Sequence, residues 1–338
     1  MSVSSPLWIS EADVVALMDI GDAIIALEKA LLAEARGEAK NMVKTHVAWG
    51  DGATLHAIGA VFPQEEFAGT KTWAHTAGGA TPLLALFDSE TGSLKAIIEA
   101  FALGQLRTAA ASGVATNLLA AKDADDFAMI GTGKQAMTQV AAVLAVRSIK
   151  RLRVFGRNAE RSEQFAARVK QEFEIETIAA RSVGEAVAGA AIITVATRAT
   201  EPVLTAGMIA KGAHINAIGA IVPSRAEIAG DVLERCSHIV VDSVPQAQKL
   251  SRELMDFFGA ADQERWEQVR SLADLVAAGE SRGASDDLTV FKSLGMGISD
   301  LALGIGLYRK ACAEGVGREF AHPEKAAPRL RRDVGQTV

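Results

Sequence analysis

The sequence predicts an α/β protein in which a doubly wound parallel sheet is joined to a second, α+β domain. Three observations predict it. From Asp126 onward, short β-branched strands alternate with helical stretches, the pattern of parallel strands linked by helices. Between residues 42 and 101, short strands separated by Gly and Asp turns suggest an antiparallel or mixed sheet. Of 338 residues, 49% are hydrophobic, 22% charged and only 5% aromatic, which suits a large aliphatic core of strands covered by helices.

The elements follow in order. Residues 6–9 read as a strand, and Ser10 with Asp13 caps a helix through Met18. Residues 20–36 repeat apolar side chains at helical spacing and stop near Gly37. Strands are expected over 42–49, 54–62, 70–75, 82–88 and 94–99, then an Ala-rich helix over 103–119. In the alternating region, strands fall at 127–130, 153–155, 177–179, 192–196, 215–218 and 239–241. Helices fall at 135–148, 159–173 and 183–188. A last helix covers 299–312. The tail from Arg318, with the basic run Arg329, Arg331 and Arg332, reads as solvated.

Several function classes are disfavoured. A net charge of −6 offers no basic surface for nucleic acid or an anionic membrane. Cys236 and Cys312 make no disulfide framework, and the six histidines show no metal-ligand spacing, so no metal is expected. Residues 1–11 lack a signal peptide pattern, and charge interrupts each apolar stretch before the ~18 residues of a membrane span. A cytoplasmic protein is expected.

Gly131-Thr132-Gly133-Lys134-Gln135-Ala136 follows a strand and opens a helix, the context that gives the GxGxxA pattern its meaning. Gly131 permits the tight turn, Gly133 clears the approach of a pyrophosphate, and Ala136 is small enough for helix–strand packing. The free N–H groups of the helix start face the phosphate oxygens. The motif therefore makes this a Rossmann domain for a nicotinamide dinucleotide, with Gly131, Thr132, Gly133, Gln135 and Ala136 in contact. The second strand ends in Phe155-Gly156-Arg157-Asn158, without the acid that holds an NAD ribose. Arg157, assisted by Asn158 and Arg161, suits a 2′-phosphate. NADP(H) is favoured, with NAD(H) as the alternative. Thr194, Ala196 and Thr197 end one further core strand and Ala217 and Gly219 another, both expected at the cofactor.

Five stretches together resemble the ornithine cyclodeaminase/mu-crystallin family: Gly69-Thr70-Lys71, Leu106-Arg107-Thr108-Ala109-Ala110, the glycine motif, His214-Ile215-Asn216-Ala217-Ile218-Gly219, and Thr289-Val290-Phe291-Lys292-Ser293-Leu294-Gly295-Met296. The resemblance implies a two-domain homodimer. Residues 1–120 with 288–338 would form the substrate and dimerisation domain, and 121–287 the Rossmann domain. It also implies hydride transfer between nicotinamide and the α-carbon of a small amino or imino acid. Lys71 matches the family's essential lysine, Arg107 an arginine for the substrate carboxylate, and Lys44 a second such arginine, keeping charge but losing the bidentate fork. Ile221 stands where cyclodeaminases carry an aspartate for the substrate amino group, and a hydrocarbon cannot pair with an ammonium. Reduction of an imino acid, or the reverse dehydrogenation, is therefore the expected reaction. A cyclodeaminase and a non-catalytic NADPH-binding, crystallin-like protein are the alternatives. His75, two pairs along the strand from Lys71, is expected on the same face and near the substrate.

Overall fold

The computed structural model describes residues 5–259 and 263–331. Residues 1–4, and Arg332 at the end of the basic run, lie outside the described residues. Strand β1 (Leu7–Ile9) leads into α1 (Glu11–Leu17), where Ser10 Oγ accepts from the Asp13 N–H and the Asp13 carboxylate accepts from the Ser10 N–H. Asp19 caps α2 (Ile20–Ala35), which buries Ala23, Ile24, Leu27, Ala30 and Leu31 on one stripe. There follow β2 (Lys40–Asn41), β3 (Thr45–Trp49), β4 (Ala53–Phe62), β5 (Phe67–Thr76), β6 (Gly79–Ala80), β7 (Leu83–Asp88), β8 (Leu94–Glu99) and α3 (Phe101–Leu119).

The alternating region comprises β9 (Asp126–Ile130), α4 (Ala136–Val146), β10 (Arg151–Phe155), α5 (Ala159–Phe173), β11 (Glu176–Ala179), α6 (Val183–Val187), β12 (Ile192–Val195) and β13 (His214–Ala217). Short elements come next: α7 (Gly230–Glu234), β14 (Cys236–Val241), α8 (Val244–Leu250), α9 (Arg252–Phe258), α10 (Gln263–Trp266), β15 (Val269–Ser271) and α11 (Leu272–Ala278). The chain closes with β16 (Leu288–Lys292), α12 (Gly297–Glu314) and β17 (Arg318–Glu319).

Two sheets result. The first runs β17-β1-β8-β7-β5-β4-β2, with β3 on β4 and β6 on β5; it is antiparallel except where β1 lies parallel to β8. The second runs β11-β10-β9-β12-β13-β16-β14-β15 and is parallel throughout. Strand β9 is flanked by β10 on one side and β12 on the other. The chain reverses direction across the sheet there, and such a switch point opens a crevice at the carboxyl ends of the strands.

One expectation is corrected. A domain boundary before residue 288 cuts through the second sheet, because β16 pairs with both β13 and β14. Its residues Leu288 to Lys292 are all buried, so the strand needs cover on both faces, and the chain leaves the parallel sheet only after Lys292. The tail from Arg318 is exposed as expected, but its start is ordered: β17 pairs with β1, and the Phe320 N–H donates to the Pro6 carbonyl.

Helix α12 returns to pack across β4, β5 and β7. The pleat gives the first sheet two unlike faces. Lys71, Trp73 and His75 share one face, together with Leu84 and Leu86 of β7, which are fully buried. The opposite face of β3 and β4 presents Val47, Trp49 and Leu55 to solvent.

Candidate active site

The crevice at the switch point is a cleft of about 720 Å³ whose walls come from the ends of β9, β10, β12, β13 and β16. Gly131 holds a φ of +111°, and a Cβ there would lie 2.4 Å from the Ala196 carbonyl oxygen, so no other residue fits this turn. Gly133 has open space where a Cβ would stand, which leaves the α4 N-terminus accessible. Gly131, Thr132, Gly133, Gln135, Arg157, Asn158, Arg161, Ala196, Thr197, Gly219 and Ile221 line the cleft. Ala136, Thr194 and Ala217 do not. They are fully buried behind its wall, where Ala136 allows close packing and Thr194 Oγ1 accepts from the Asn216 amide. Asn158 Oδ1 is engaged as the α5 cap, accepting from the Arg161 N–H at 2.8 Å, so its oxygen serves the helix.

One wall is pinned by a buried carboxylate. Glu227 accepts from Thr197 N–H (2.6 Å) and Oγ (2.9 Å), and from the N–H groups of Gly219 (2.7 Å) and Ala220 (3.0 Å). Burial pushes its carboxyl upward, while Lys292 and these donors oppose the shift. Lys292 in turn pairs with Glu253 at 3.1 Å, and Glu253 accepts from the Glu227 N–H. The two loops that flank the crevice are thus fixed to one buried charge network.

Three cationic side chains gather at and behind the inner end of the cleft, and of these only Arg107 lines it. Arg107, in the second turn of α3, lines the cleft with Thr108 and Gly295. Lys71 lies deeper, only 4% exposed. Both converge on Asp300 of α12: Lys71 Nζ is 2.5 Å and Arg107 Nε 3.3 Å from Asp300 Oδ1. Asp300 is itself 1% exposed, and its Oδ2 has no hydrogen-bond partner. Burial, with Arg107 adding to it, brings the Lys71 ammonium down to about 8, although Asp300 holds it up. Lys44 is half-buried just before β3, and burial followed by the Arg107 charge lowers it too. The loop after β16 is shaped to Arg107. Gly295 has φ +86°, and a Cβ there would sit 2.9 Å from the Arg107 Nη1. Buried Asp242 holds that loop, accepting from Leu294 N–H (2.8 Å), Gly295 N–H (2.6 Å) and Ser293 Oγ (3.0 Å). His75 is exposed further along the face of Lys71 and does not line the cleft. Among the described residues, no group of three or more His, Cys, Asp or Glu could hold a metal.

A sequence profile of the ornithine cyclodeaminase/mu-crystallin family matches residues 6–314. The chain belongs to this family. It is 31% identical over 277 residues to the Delta(1)-pyrroline-2-carboxylate reductase of Bacillus cereus, covering 79% of this chain and 81% of that protein. It is 36% identical over 216 residues to the ketimine reductase mu-crystallin of Mus musculus, 64% of this chain and 65% of the other. Among solved structures, it superposes on the Thermococcus litoralis Delta(1)-pyrroline-2-carboxylate reductase in complex with NADH and L-proline with a TM-score of 0.86 and 30% identity, covering 93% of this chain and all (100%) of that one. The iminosuccinate reductase of Paracoccus denitrificans, in complex with NAD+, gives 0.87 at 26% identity over 94% and 99% of the two chains.

Within this family member, sequence reasoning missed Asp300, Asp242 and Glu227. Asp300 is 229 residues from Lys71, and in the first turn of a helix it reads as an acid complementing the dipole. Asp242 directly follows the buried end of β14, where an acid without a visible partner is a usable signal of a functional or pinned site. Glu227 sits in an irregular stretch with no periodicity to mark it. Arg198 and Arg225, also in the cleft wall, carried no motif.

Proposed function

We propose that the protein is an NAD(P)H-dependent imine reductase that converts an imino acid to the amino acid, or runs the same step backwards. One observation carries the reading: the Lys71 ammonium and the Arg107 guanidinium meet on a single buried carboxylate at the inner end of the dinucleotide cleft. The cleft suits a dinucleotide on its own geometry, because Gly133 leaves open space before the free N–H groups of α4 and Gly131 allows the turn that aims them. When bound, the reduced nicotinamide supplies the hydride that adds to the imine carbon.

The residues of this chain do the rest. Arg107 faces the cleft and can take the substrate carboxylate in a charge-assisted pair, with Lys44 adding positive potential. Lys71, brought to about 8, holds a proton at Nζ that can pass to the imine nitrogen as the carbon accepts hydride. Asp300 keeps both cations in place. Ile221 lines the cleft and offers no charge to a substrate ammonium, which argues against a cyclodeaminase.

Three finer assignments belong to this proposal. Arg157, just after β10, and Arg161, in the first turn of α5, are exposed in the cleft wall and favour NADP(H) over NAD(H). The exposed apolar face at Val47 (59%), Trp49 (46%) and Leu55 (45%) suits burial against a second copy in a homodimer. Free Cys236 and Cys312 fit a reducing cytoplasm. The test is oxidation of NADPH or NADH by a panel of linear and cyclic imino acids. The reading requires turnover with at least one imine and a loss of roughly 10²–10⁴ in kcat for Lys71→Ala. Cofactor oxidation by none of them, or full turnover in Lys71→Ala, would remove it.

A further inference from the structure

Glu227, fully buried behind the cleft wall, divides its two carboxylate oxygens between two loops. Oε1 accepts from the N–H and Oγ of Thr197, at 2.6 and 2.9 Å, just after β12. Oε2 accepts from the N–H groups of Gly219 and Ala220, at 2.7 and 3.0 Å, just after β13. The two loops pack so closely here that a Cβ on Gly219 would stand 2.1 Å from the Thr197 carbonyl oxygen and 2.4 Å from Glu227 Oε1. The main chain of Glu227 is engaged as well. Its N–H donates to Glu253 at 2.8 Å, and its carbonyl accepts from the N–H groups of Val203 and Leu204 at 2.9 and 3.1 Å. Lys292, also fully buried, braces Glu253 from behind at 3.1 Å.

The place of these loops in the strand order gives the clasp its use. Across the cleft the strand ends run β10, β9, β12, β13, β16. Arg157 follows β10, the glycine motif follows β9, and the Gly295 loop shaped to Arg107 follows β16. A dinucleotide with its phosphates at the glycine motif and its reactive ring toward Arg107 therefore lays its nicotinamide half against the loops after β12 and β13. Thr197, Gly219 and Ile221 line that stretch. The N–H groups of Thr197, Gly219 and Ala220 do not compete with the start of α4 for phosphate, because all three donate to Glu227. Hydride transfer needs ring and imine carbon held at a fixed approach, and two irregular loops keep a fixed spacing only when something ties them together.

We propose that Glu227 is a positioning residue: its single carboxylate fixes the spacing of the two loops that receive the nicotinamide half of the cofactor. This rests on the imine-reductase reading. A carboxylate is required because both oxygens must accept. An amide of the same shape has one acceptor, and its NH2 group would face the N–H donors of one loop or the other. The Thr197 hydroxyl can turn to accept from that NH2, but the N–H groups of Thr197, Gly219 and Ala220 cannot. Glu227→Gln therefore keeps the volume of the side chain and releases one loop.

The unaltered full-length protein without cofactor gives the first readout. Hydrogen exchange should show the amides of Thr197, Gly219 and Ala220 exchanging as slowly as those inside β12 and β13. In Glu227→Gln, exchange over 197–200 or 218–222 should rise roughly tenfold or more while β9 to β13 stay protected. Calorimetry should give a Kd for NADPH and NADH weakened roughly tenfold, while ADP and 2′,5′-ADP, which carry the adenosine half alone, bind within about twofold of their affinity for the unaltered protein. Glu227→Asp, which keeps both acceptors on a shorter arm, should recover part of the loss. Fast exchange of the three amides in the unaltered protein overturns the clasp, and this reading stands even if Glu227→Gln does not fold. Dinucleotide affinity unmoved in Glu227→Gln, or an equal loss for the adenosine ligands, overturns it too, and each leaves the imine reductase standing. An unaltered protein that binds neither dinucleotide overturns the imine reductase, and the clasp loses its role with it.

Discussion

Lys71 alone would be a poor proton donor or a costly buried charge; with Asp300 at 2.5 Å it is neither. Burial lowers its affinity for the proton, Asp300 restores part of it, and the balance lies near 8. A donor works while it is protonated, so the rate of imine reduction should fall as pH rises through about 8. Replacing Asp300 by Asn removes the influence that holds Lys71 up. The falling limb of the pH–rate profile should then move to lower pH by about one unit or more, with KM raised because Arg107 loses its anchor. Asp300→Glu should restore part of both. A limb that stays in place in Asp300→Asn would show that the carboxylate does not set the Lys71 proton. At the other end of the cleft, Arg157→Ala should cost roughly tenfold in kcat/KM with NADPH and little with NADH. Unchanged preference between the cofactors would remove Arg157 from phosphate recognition.

At the scale of elements, α12 matters because it brings Asp300 to the site, and its first turn is tied to β2 and α2. Asn41 Oδ1 accepts from the Ile298 N–H at 2.9 Å, while Asn41 Nδ2 donates to Glu34 of α2 at 2.6 Å. Burial, reinforced by Asp242 and Asp274, pushes Glu34 from 4.5 up to about 7, although the Asn41 bond opposes it. A carboxyl raised in the folded state favours folding while it is protonated. That contribution is complete below 4.5 and is lost as pH rises through about 7. The thermal midpoint should therefore decline over this window, and Glu34→Gln should flatten the decline; an equal slope in the variant would assign the pH dependence elsewhere. The elements also show what a sequence reveals. The strands from Asp126 to Val241 were legible because buried parallel strands are written as short β-branched runs. Helices α7 to α11 were not, since each is seven residues or fewer and too short to display a helical period. Strand β16 was noticed only as a motif and grouped with the residues of the first sheet, because pairing partners are not encoded locally.

For the whole molecule, the two sheets are linked where α3 runs behind the parallel one. The Asn216 amide donates to Thr116 Oγ1, Thr289 Oγ1 donates to the Leu119 carbonyl, and Arg147 caps the end of α3 by donating to the Thr116, Asn117 and Ala120 carbonyls. This fixes Arg107, on the same helix, against the crevice. The glycine motif, Lys71 and Arg107 stood out in reading along the chain, and Asp242 left a usable signal; Asp300 and Glu227 did not, because each finds its partners through the tertiary fold. The exposed apolar face of β3 and β4 predicts a mass of two chains in solution, measurable by light scattering. Val47→Asp with Leu55→Asp should shift that mass toward one chain, whereas a single-chain mass for the unaltered protein would leave this face unexplained.

The central claim is that hydride passes from the nicotinamide to the imine carbon of a substrate held by Arg107 and protonated from Lys71. It is tested most directly by running the reaction with reduced cofactor deuterated at its transferable position and analysing the product by mass spectrometry and NMR. The account predicts an amino acid carrying a single deuterium on its α-carbon. Amino acid formed without that label, or labelled elsewhere, would contradict it.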